Sequence, residues 1–318
     1  MFLEAFKPTL SGVIQIFLLG AVGFFLVKKN FLSEAGLSAL SRLVIEITLP
    51  FLIFSQLIKE FSFSAYPNWW IFPLLSLAIT ITGLVIGSLF LGFIKNLQSK
   101  LQFLSLITFQ NSGYLPLVLI AALLSKEKAD AMFIYLFLFL LGFNLIIWSC
   151  GVYLLTFTRT KKFELGSLFS PAVIATLVSL AVISLGFNKL IPLVVLKPLR
   201  MLGDCTLPLA LLVVGGNLAD MHWTKLDKSA LFLLLLVKLI ILPVAGVLLI
   251  IKFRFPELMG LLIILQLAMP PATSLSVILR HSKKEDLLIS QGIFFGHIAS
   301  LVTIPLFLSL YFSLGMIK

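Results

Sequence analysis

Residues 101–124 read LQFLSLITFQNSGYLPLVLIAALL, a run that is apolar enough to cross a bilayer but has a polar, helix-breaking centre. In that centre Gly113 lacks a Cβ and Pro116 lacks a backbone donor, and the neighbouring amide and hydroxyl side chains compete for backbone groups. Unpaired backbone groups are costly in hydrocarbon, so an interruption persists only where protein buries it or where it lines a cavity. The stretch therefore predicts a helix that is broken inside the membrane at a binding site.

A second interruption follows about half a chain later. Residues 268–274 read AMPPATS within the apolar run 257–280. An offset of 158 residues relates the two interruptions, and the same offset aligns residues 42–50, RLVIEITLP, with residues 200–208, RMLGDCTLP. Arginine, an acid, threonine, leucine and proline stay in register between these two segments. Such internal similarity predicts two copies of one unit, each with one broken helix, which is typical of a transporter binding site.

The composition is that of a membrane protein. Hydrophobic residues make up 60% of the 318 residues and charged residues 12%, whereas soluble domains carry about 25% charged residues. The net charge of +11 comes from short Lys and Arg clusters between apolar runs rather than from one basic arm, so no nucleic-acid partner is expected. Cys150 and Cys205 lie in apolar runs without metal or redox spacing. No metal and no cofactor are expected.

A transmembrane helix needs about 20 apolar residues, and the chain contains ten such runs. They cover residues 10–27, 37–58, 69–94, 101–124, 131–157, 169–187, 198–219, 229–251, 257–280 and 288–314. We therefore expect an all-α polytopic membrane protein with a single membrane domain of two five-helix repeats, residues 1–158 and 159–318. Because five is an odd number, the second repeat is expected to enter the membrane inverted relative to the first.

The distribution of Lys and Arg between the two faces favours one orientation of the chain in the membrane by a small margin. The loops after the odd-numbered spans contain 12 Lys and Arg, against 10 on the opposite face with both termini. Under the positive-inside rule, this bias places both termini outside the cytoplasm. The first run is followed by Lys28 and Lys29 rather than by a small-residue cleavage site, so we expect it to be retained as the first helix.

The segments QNSGYLPL at 110–117 and MPPATS at 269–274 resemble those of the auxin efflux carrier family of membrane permeases. The resemblance extends to the ten-span plan and covers essentially the whole chain. It implies a carrier in which the broken helices 4 and 9 cross between a scaffold domain and a mobile transport domain, similar to sodium/bile-acid symporters and sodium/proton antiporters. It also implies a small organic anion as substrate, which is auxin for plant members and malate or malonate for bacterial members.

The chain lacks the long central loop of the plant carriers, which favours a prokaryotic permease of the bacterial inner membrane. Its expected partners are the lipid bilayer and the anionic substrate, and a homodimer is one assembly open to it. The sequence contains no HEXXH, GXSXG or P-loop motif, which argues against an intramembrane enzyme and against ATP-driven pumping by this chain.

The two breaks predict an anion site. A half-helix that starts inside the membrane exposes N–H groups equivalent to about half a positive charge, and two such ends favour a carboxylate. The expected substrate-binding residues are Asn111, Ser112, Gly113, Tyr114, Pro116, Pro270, Pro271, Ala272, Thr273 and Ser274. The alternative is that their polar groups only satisfy the broken backbone.

Ionisable residues inside the spans are candidates for coupling to H+ or Na+. Glu46 and Asp204 each follow an arginine by four residues, so they are expected either to form structural ion pairs or to carry the coupling ion. Lys238 lies deep in its span and is expected to be a counter-ion of these acids or to bind the anion directly. His297 is expected to be a packed helix residue or a proton carrier.

The first hypothesis is a secondary active carrier of small organic anions, mono- or dicarboxylates such as malate or malonate, that works by alternating access. Efflux of an auxin-like aromatic acid is an alternative. A channel or a sensor built on the same fold is another, because one fold can host several functions.

Overall fold

The computed structural model describes residues 2–156, 169–219, 227–280 and 287–316, and within them the chain is helical and forms no sheet. Short 3-10 turns aside, the helices of these residues are α1 (Phe2–Lys28), α2 (Glu34–Glu60), α3 (Ile71–Leu89), α4 (Leu97–Thr108), α5 (Tyr114–Leu123), α6 (Lys126–Leu155), α7 (Pro171–Ser184), α8 (Leu193–Ala219), α9 (Lys228–Phe253), α10 (Glu257–Ala268), α11 (Ser274–Arg280) and α12 (Leu287–Leu314). The boundary expected between the two repeats lies outside the described residues.

Seven helices of the described chain, namely α1, α2, α3, α6, α8, α9 and α12, are long and apolar enough to cross a membrane. The all-helical, multi-pass class is therefore confirmed. The other three expected spans, 101–124, 169–187 and 257–280, correspond to shorter helices, and the first and third are each divided in two. The count of ten spans and the inverted repeat stay predictions.

Both predicted interruptions are present. Helix α4 ends at Thr108 and α5 begins at Tyr114, whereas α10 ends at Ala268 and α11 begins at Ser274. Each gap contains five residues of non-helical backbone. Gly in the first gap has no Cβ and Pro in the second has no backbone N–H, so both disfavour a continuous helix. The breaks therefore follow from local sequence chemistry.

Two long helices carry π-helical turns directly before a proline. One spans Val44–Thr48 before Pro50 in α2, and the other spans Val237–Ile241 before Pro243 in α9. A proline has no N–H for the preceding turn, and an inserted residue that widens the turn accommodates it. The second π-turn contains Lys238 and fixes which way its side chain leaves α9.

The helices pack in groups around the interruptions. Helix α1 packs along α8 and α12, α2 packs on α7 and α8, and α3 packs on α6 and α4. The approach of α1 to α8 is so close that a Cβ on Gly215 would overlap the carbonyl oxygen of Gly20. Helices α5 and α10 contact members of several groups, α5 with α1, α6 and α8, and α10 with α6, α9 and α12. This arrangement places the broken segments in the interior.

Candidate functional site

The two interruptions lie against each other. Gln110 and Pro271 form an isolated antiparallel bridge. The backbone N–H of Asn111 donates to the carbonyl of Pro270 at 2.8 Å, and the N–H of Ala272 donates to the carbonyl of Phe109 at 3.0 Å. Each broken helix thus supplies the partners that the other one needs, which offsets the cost of open backbone away from water.

Two buried glutamines reinforce this crossing. Gln110 and Gln266 are 1% and 0% exposed. The Nε2 of Gln110 donates to Oε1 of Gln266 in a long contact of 3.5 Å, and Nε2 of Gln266 donates to the carbonyl of Ser112 at 3.2 Å. Neither glutamine was among the predicted site residues. A polar side chain in an apolar span close to a break was the signal that could have found Gln266.

Asn111 and His297 come together although they are 186 residues apart. The Nδ2 of Asn111 lies 3.4 Å from Nε2 of His297, and Nδ1 of His297 lies 2.7 Å from the carbonyl of Ile293. Since a carbonyl only accepts, Nδ1 carries the proton, and Nε2 accepts from the amide of Asn111. The histidine therefore orients the first residue of the predicted anion site.

Helix α12 approaches the second interruption closely next to this histidine. A Cβ on Gly296 would lie 2.7 Å from Cδ of Pro271, and that ring has little freedom to move. Pro271 and Pro270 thus shape the crossing through their ring and carbonyl rather than through side-chain hydrogen bonds. Pro116 lies buried in the first turn of α5, where its missing donor costs nothing.

Lys238 is 1% exposed, and its Nζ donates to the carbonyl of Ile107 at 2.7 Å. Ile107 belongs to the last turn of α4, where carbonyls lack intrahelical donors and the helix carries its negative end. The ammonium group therefore caps the first half-helix just before the break. This partner differs from the two acids that were considered for Lys238 in the sequence analysis.

Glu46 and Asp204 form the ion pairs that their spacing allows. Nε of Arg42 lies 3.0 Å from Glu46, and Nε of Arg200 lies 2.8 Å from Asp204. The side chains of the two acids are 46% and 57% exposed. Their part in coupling stays a prediction, since they lie on α2 and α8 outside the cavity described next.

A cavity of about 400 Å³ adjoins the crossing. The predicted residues that line it are Asn111, Ser112, Gly113, Tyr114, Ala272, Thr273 and Ser274. Its other walls come from α2, α6 and the start of α7, and include Ile45, Leu49, Leu140, Phe143, Asn144, Ile147, Trp148 and Phe169. Among the described residues of this lining, none is Lys, Arg, Asp or Glu.

The cavity is suited to holding an anion at the crossing through neutral donors. Asn111 and Ser112 carry amide and hydroxyl groups, Thr273 and Ser274 add two hydroxyls, and α5 begins at Tyr114 with N–H groups that have no intrahelical acceptor. Only seven residues of α11 are described. We therefore attribute the positive electrostatic field of a helix N-terminus at this cavity to α5 alone.

A second cavity of about 310 Å³ lies on the other side of the Asn111–His297 contact. Helices α1, α8 and α12 form most of its apolar wall, which includes Phe17, Phe24, Leu218 and Leu301. His297 is the polar side chain of this lining, and both of its ring nitrogens are engaged. The contact therefore joins a residue that lines the first cavity to a residue that lines the second.

A family model described as membrane transport protein matches residues 8–308. The chain is 22% identical over 311 residues to Protein PIN-LIKES 1 of Arabidopsis thaliana, an alignment that covers 77% of this chain and 65% of that protein. It is 31% identical over 124 residues to Protein PIN-LIKES 6 (38% of this chain, 29% of the relative) and 32% identical over 102 residues to Protein PIN-LIKES 4 (28% and 25%), both of Arabidopsis thaliana. The chain thus spans 65% or less of the length of these curated relatives. Because the family model covers nearly all of the 318 residues, the chain belongs to the membrane transport protein family, which is that of the auxin efflux carriers.

Proposed function

We propose that the protein is a secondary active carrier that moves small organic anions across the cell membrane by alternating access. The observation that carries this proposal is the hydrogen-bonded crossing of two interrupted segments beside a cavity lined by neutral donors. Open backbone inside a membrane protein is tolerated where it lines a cavity, and half-helix ends there bind ions and substrates. Membership of a transport family supports the same reading.

The proposed architecture is two inverted five-helix repeats, residues 1–158 and 159–318, with α4–α5 and α10–α11 as the fourth and ninth spans. The 158-residue offset relates α4 to α10, and the two breaks meet in antiparallel fashion. An even number of spans leaves both termini on one face, and the distribution of Lys and Arg favours the outside.

Among organic anions, the cavity favours one carboxylate attached to an apolar body. The polar groups come mainly from the crossing, whereas α6 and the start of α7 contribute Phe143, Trp148 and Phe169. A second carboxylate would meet no charged side chain in the described lining, and burying an unpaired charge costs several kcal/mol. We therefore propose an aromatic or branched monocarboxylate ahead of dicarboxylates such as malate and malonate.

The test is uptake by purified protein in liposomes. Saturable uptake of phenylacetate or indole-3-acetate, with counterflow from preloaded vesicles, is expected, together with weaker uptake of malate and malonate. Flux without saturation and without counterflow would identify a channel. Absence of flux for every carboxylate with folded protein would overturn the proposal.

Replacing Asn111 with Ala removes an amide donor from the cavity lining and leaves Nε2 of His297 without this partner. We expect uptake at low substrate concentration to fall about 10- to 100-fold, since a hydrogen bond to a charged group contributes about 1.5–3 kcal/mol. Asn188→Ala, in the loop between α7 and α8 and away from both cavities, is the matched amide control and should leave uptake unchanged.

Coupling to H+ or Na+ is part of the proposal. His297 is the ionisable group that contacts a predicted substrate-binding residue, whereas Glu46 and Asp204 are paired with arginines outside the cavity. Imposed pH and sodium gradients across the liposome membrane identify the ion, because only the coupled gradient drives accumulation above equilibrium.

A further inference from the structure

A chain of hydrogen bonds joins α2, α6 and α8 near the end of the molecule where α6 begins. Gln56 of α2 is 1% exposed, and its Nε2 donates to Oδ1 of Asp130 at 2.8 Å. Its Oε1 accepts from the guanidinium of Arg200, which also pairs with Asp204. Both ends of the buried amide are thus satisfied by different helices, and loss of either partner would leave a buried polar atom unpaired.

These contacts lie at the opposite end of α6 from the open cavity. The residues of α6 that line the cavity run from Leu140 to Trp148. They follow Asp130 by 10 to 18 positions, or about 15 to 27 Å at 1.5 Å per residue. The cavity reaches Phe169, which is 55% exposed just before α7. The structure therefore combines a cavity toward the face where α6 ends with a polar contact toward the face where it begins.

The contact also joins helices whose main packing partners differ. Helix α6 packs most extensively on α3 and also contacts α2, α5, α7 and α10, whereas α2 packs most extensively on α7 and α8. Gly203 brings α8 so close to α2 that a Cβ there would lie 2.7 Å from Cα of Leu52. Gln56 and Arg200 are therefore held together by the close packing of α2 on α8, and Asp130 approaches from α6, whose main partner is α3.

The second half of the chain is not built to form the same contact. The 158-residue offset relates Gln56 to Val214 and Asp130 to Leu288, and neither of these side chains has a hydrogen-bonding atom. Arg42, the equivalent of Arg200, is bonded to Glu46 of its own helix, and its side chain is 72% exposed. The polar contact of Gln56, Asp130 and Arg200 thus has no counterpart at the offset-related positions.

We propose that Gln56, Asp130 and Arg200 form a latch that closes the face where α6 begins and biases the carrier toward the state that opens at the other face. The inference rests on the alternating access of the proposed function. An interaction that exists in only one of two states shifts the equilibrium toward that state. Because the offset-related residues cannot supply a counterpart, the two states are stabilised unequally.

The test measures which face each state exposes. Single cysteines are placed at Ser55, beside the latch and 4% exposed, and at Ala172, in the cavity wall. The background carries Cys150→Ser and Cys205→Ser, and a membrane-impermeant thiol reagent is added to either side of proteoliposomes. Asp130→Ala should raise labelling of the cysteine at 55 severalfold and lower labelling of the cysteine at 172, because the population moves from one state to the other.

Matched variants distinguish loss of the latch from general destabilisation of the fold. Asp130→Asn keeps an oxygen that accepts from Gln56 and should label like the parent protein. Glu127→Ala removes the same charge from an exposed position in the first turn of α6 and should also label like the parent. Arg200→Met removes the donor to Gln56 from another helix and should show the same change in labelling as Asp130→Ala. It therefore also tests the latch if Asp130→Ala does not fold.

Unchanged labelling at both cysteines in Asp130→Ala or Arg200→Met would overturn the latch. Increased labelling at 55 without a decrease at 172 would overturn it as well, because that pattern reports local opening rather than a shift between states. Failure of the proposed function looks different, since then the parent protein shows no saturable carboxylate uptake. Failure of the latch alone leaves that uptake intact.

Discussion

At the scale of single residues, Lys238 shows how a lysine buried inside the protein can be satisfied by the backbone carbonyl at a helix end. Its ammonium group donates to the carbonyl of Ile107, where the half-helix α4 ends and its backbone dipole is negative. The contact ties α9 to the edge of the first interruption. The structure therefore assigns Lys238 a place beside the site rather than in the cavity lining.

Replacing Lys238 with Met should lower the stability of the protein and reduce uptake together. The carbonyl of Ile107 would lose its buried donor, which costs about 1–3 kcal/mol, and the melting temperature in detergent reports that loss. Lys252→Met, at an exposed position of the same helix, is the control and should change neither quantity. Lost uptake with an unchanged melting temperature would instead indicate that Lys238 binds the anion directly.

At the scale of secondary-structure elements, the two interruptions depend on close packing by α12. Gly296 faces Pro271 at a separation that leaves no room for a Cβ, and His297 follows it with its contact to Asn111. The sequence of the second break determines that the helix opens there. The position of α12 determines the form that the open segment takes.

Gly296→Ala should therefore displace α12 from the second interruption. Overpacking of this kind costs about 1–3 kcal/mol, whereas helix propensity alone would favour alanine by about 1 kcal/mol, so a net loss of stability reports the clash. Melting temperature and uptake should both fall. Gly92→Ala, where a Cβ would meet nothing within 4 Å, is the matched control. A variant that melts at or above the parent temperature would contradict this packing.

At the scale of the whole molecule, neither half of the chain completes its own break. Asn111 donates to Pro270, and Ala272 donates to Phe109, so both backbone bonds join one half to the other. The cavity likewise takes its wall from residues on both sides of the expected boundary, such as Asn144 and Thr273. The site exists only when the halves are assembled.

Separate expression of residues 1–158 and 159–318 tests this dependence. Each half alone should be degraded or aggregated, because its broken segment would leave backbone groups unpaired in the membrane. Co-expression of the two halves should restore a complex that purifies together and takes up the same carboxylate as the intact chain. A half that is stable and monodisperse by itself would contradict the mutual satisfaction of the breaks.

Much of the site can be predicted from sequence because its signals are local. The breaks at 110–116 and 268–274 are encoded by Gly, Pro and small polar residues, which act on the backbone beside them. Asn111, Thr273 and Ser274 were expected in the site for that reason, and they line the cavity. The partner of Gln266 could not be predicted, because nothing in the neighbouring sequence identifies the carbonyl that it reaches 154 positions away.

The sequence by itself determined the membrane class and the two places where helices open, since hydropathy, composition and backbone freedom are properties of neighbouring residues. Only the tertiary structure decided that Lys238 meets a helix end, that His297 orients Asn111, and that Gln56 links Asp130 to Arg200. The spacing of Glu46 after Arg42 predicts a shared helix face, but which element covers that face depends on the rest of the chain. A buried polar group is satisfied by whatever donor or acceptor packing brings within about 3 Å, and packing is a property of the assembled helices.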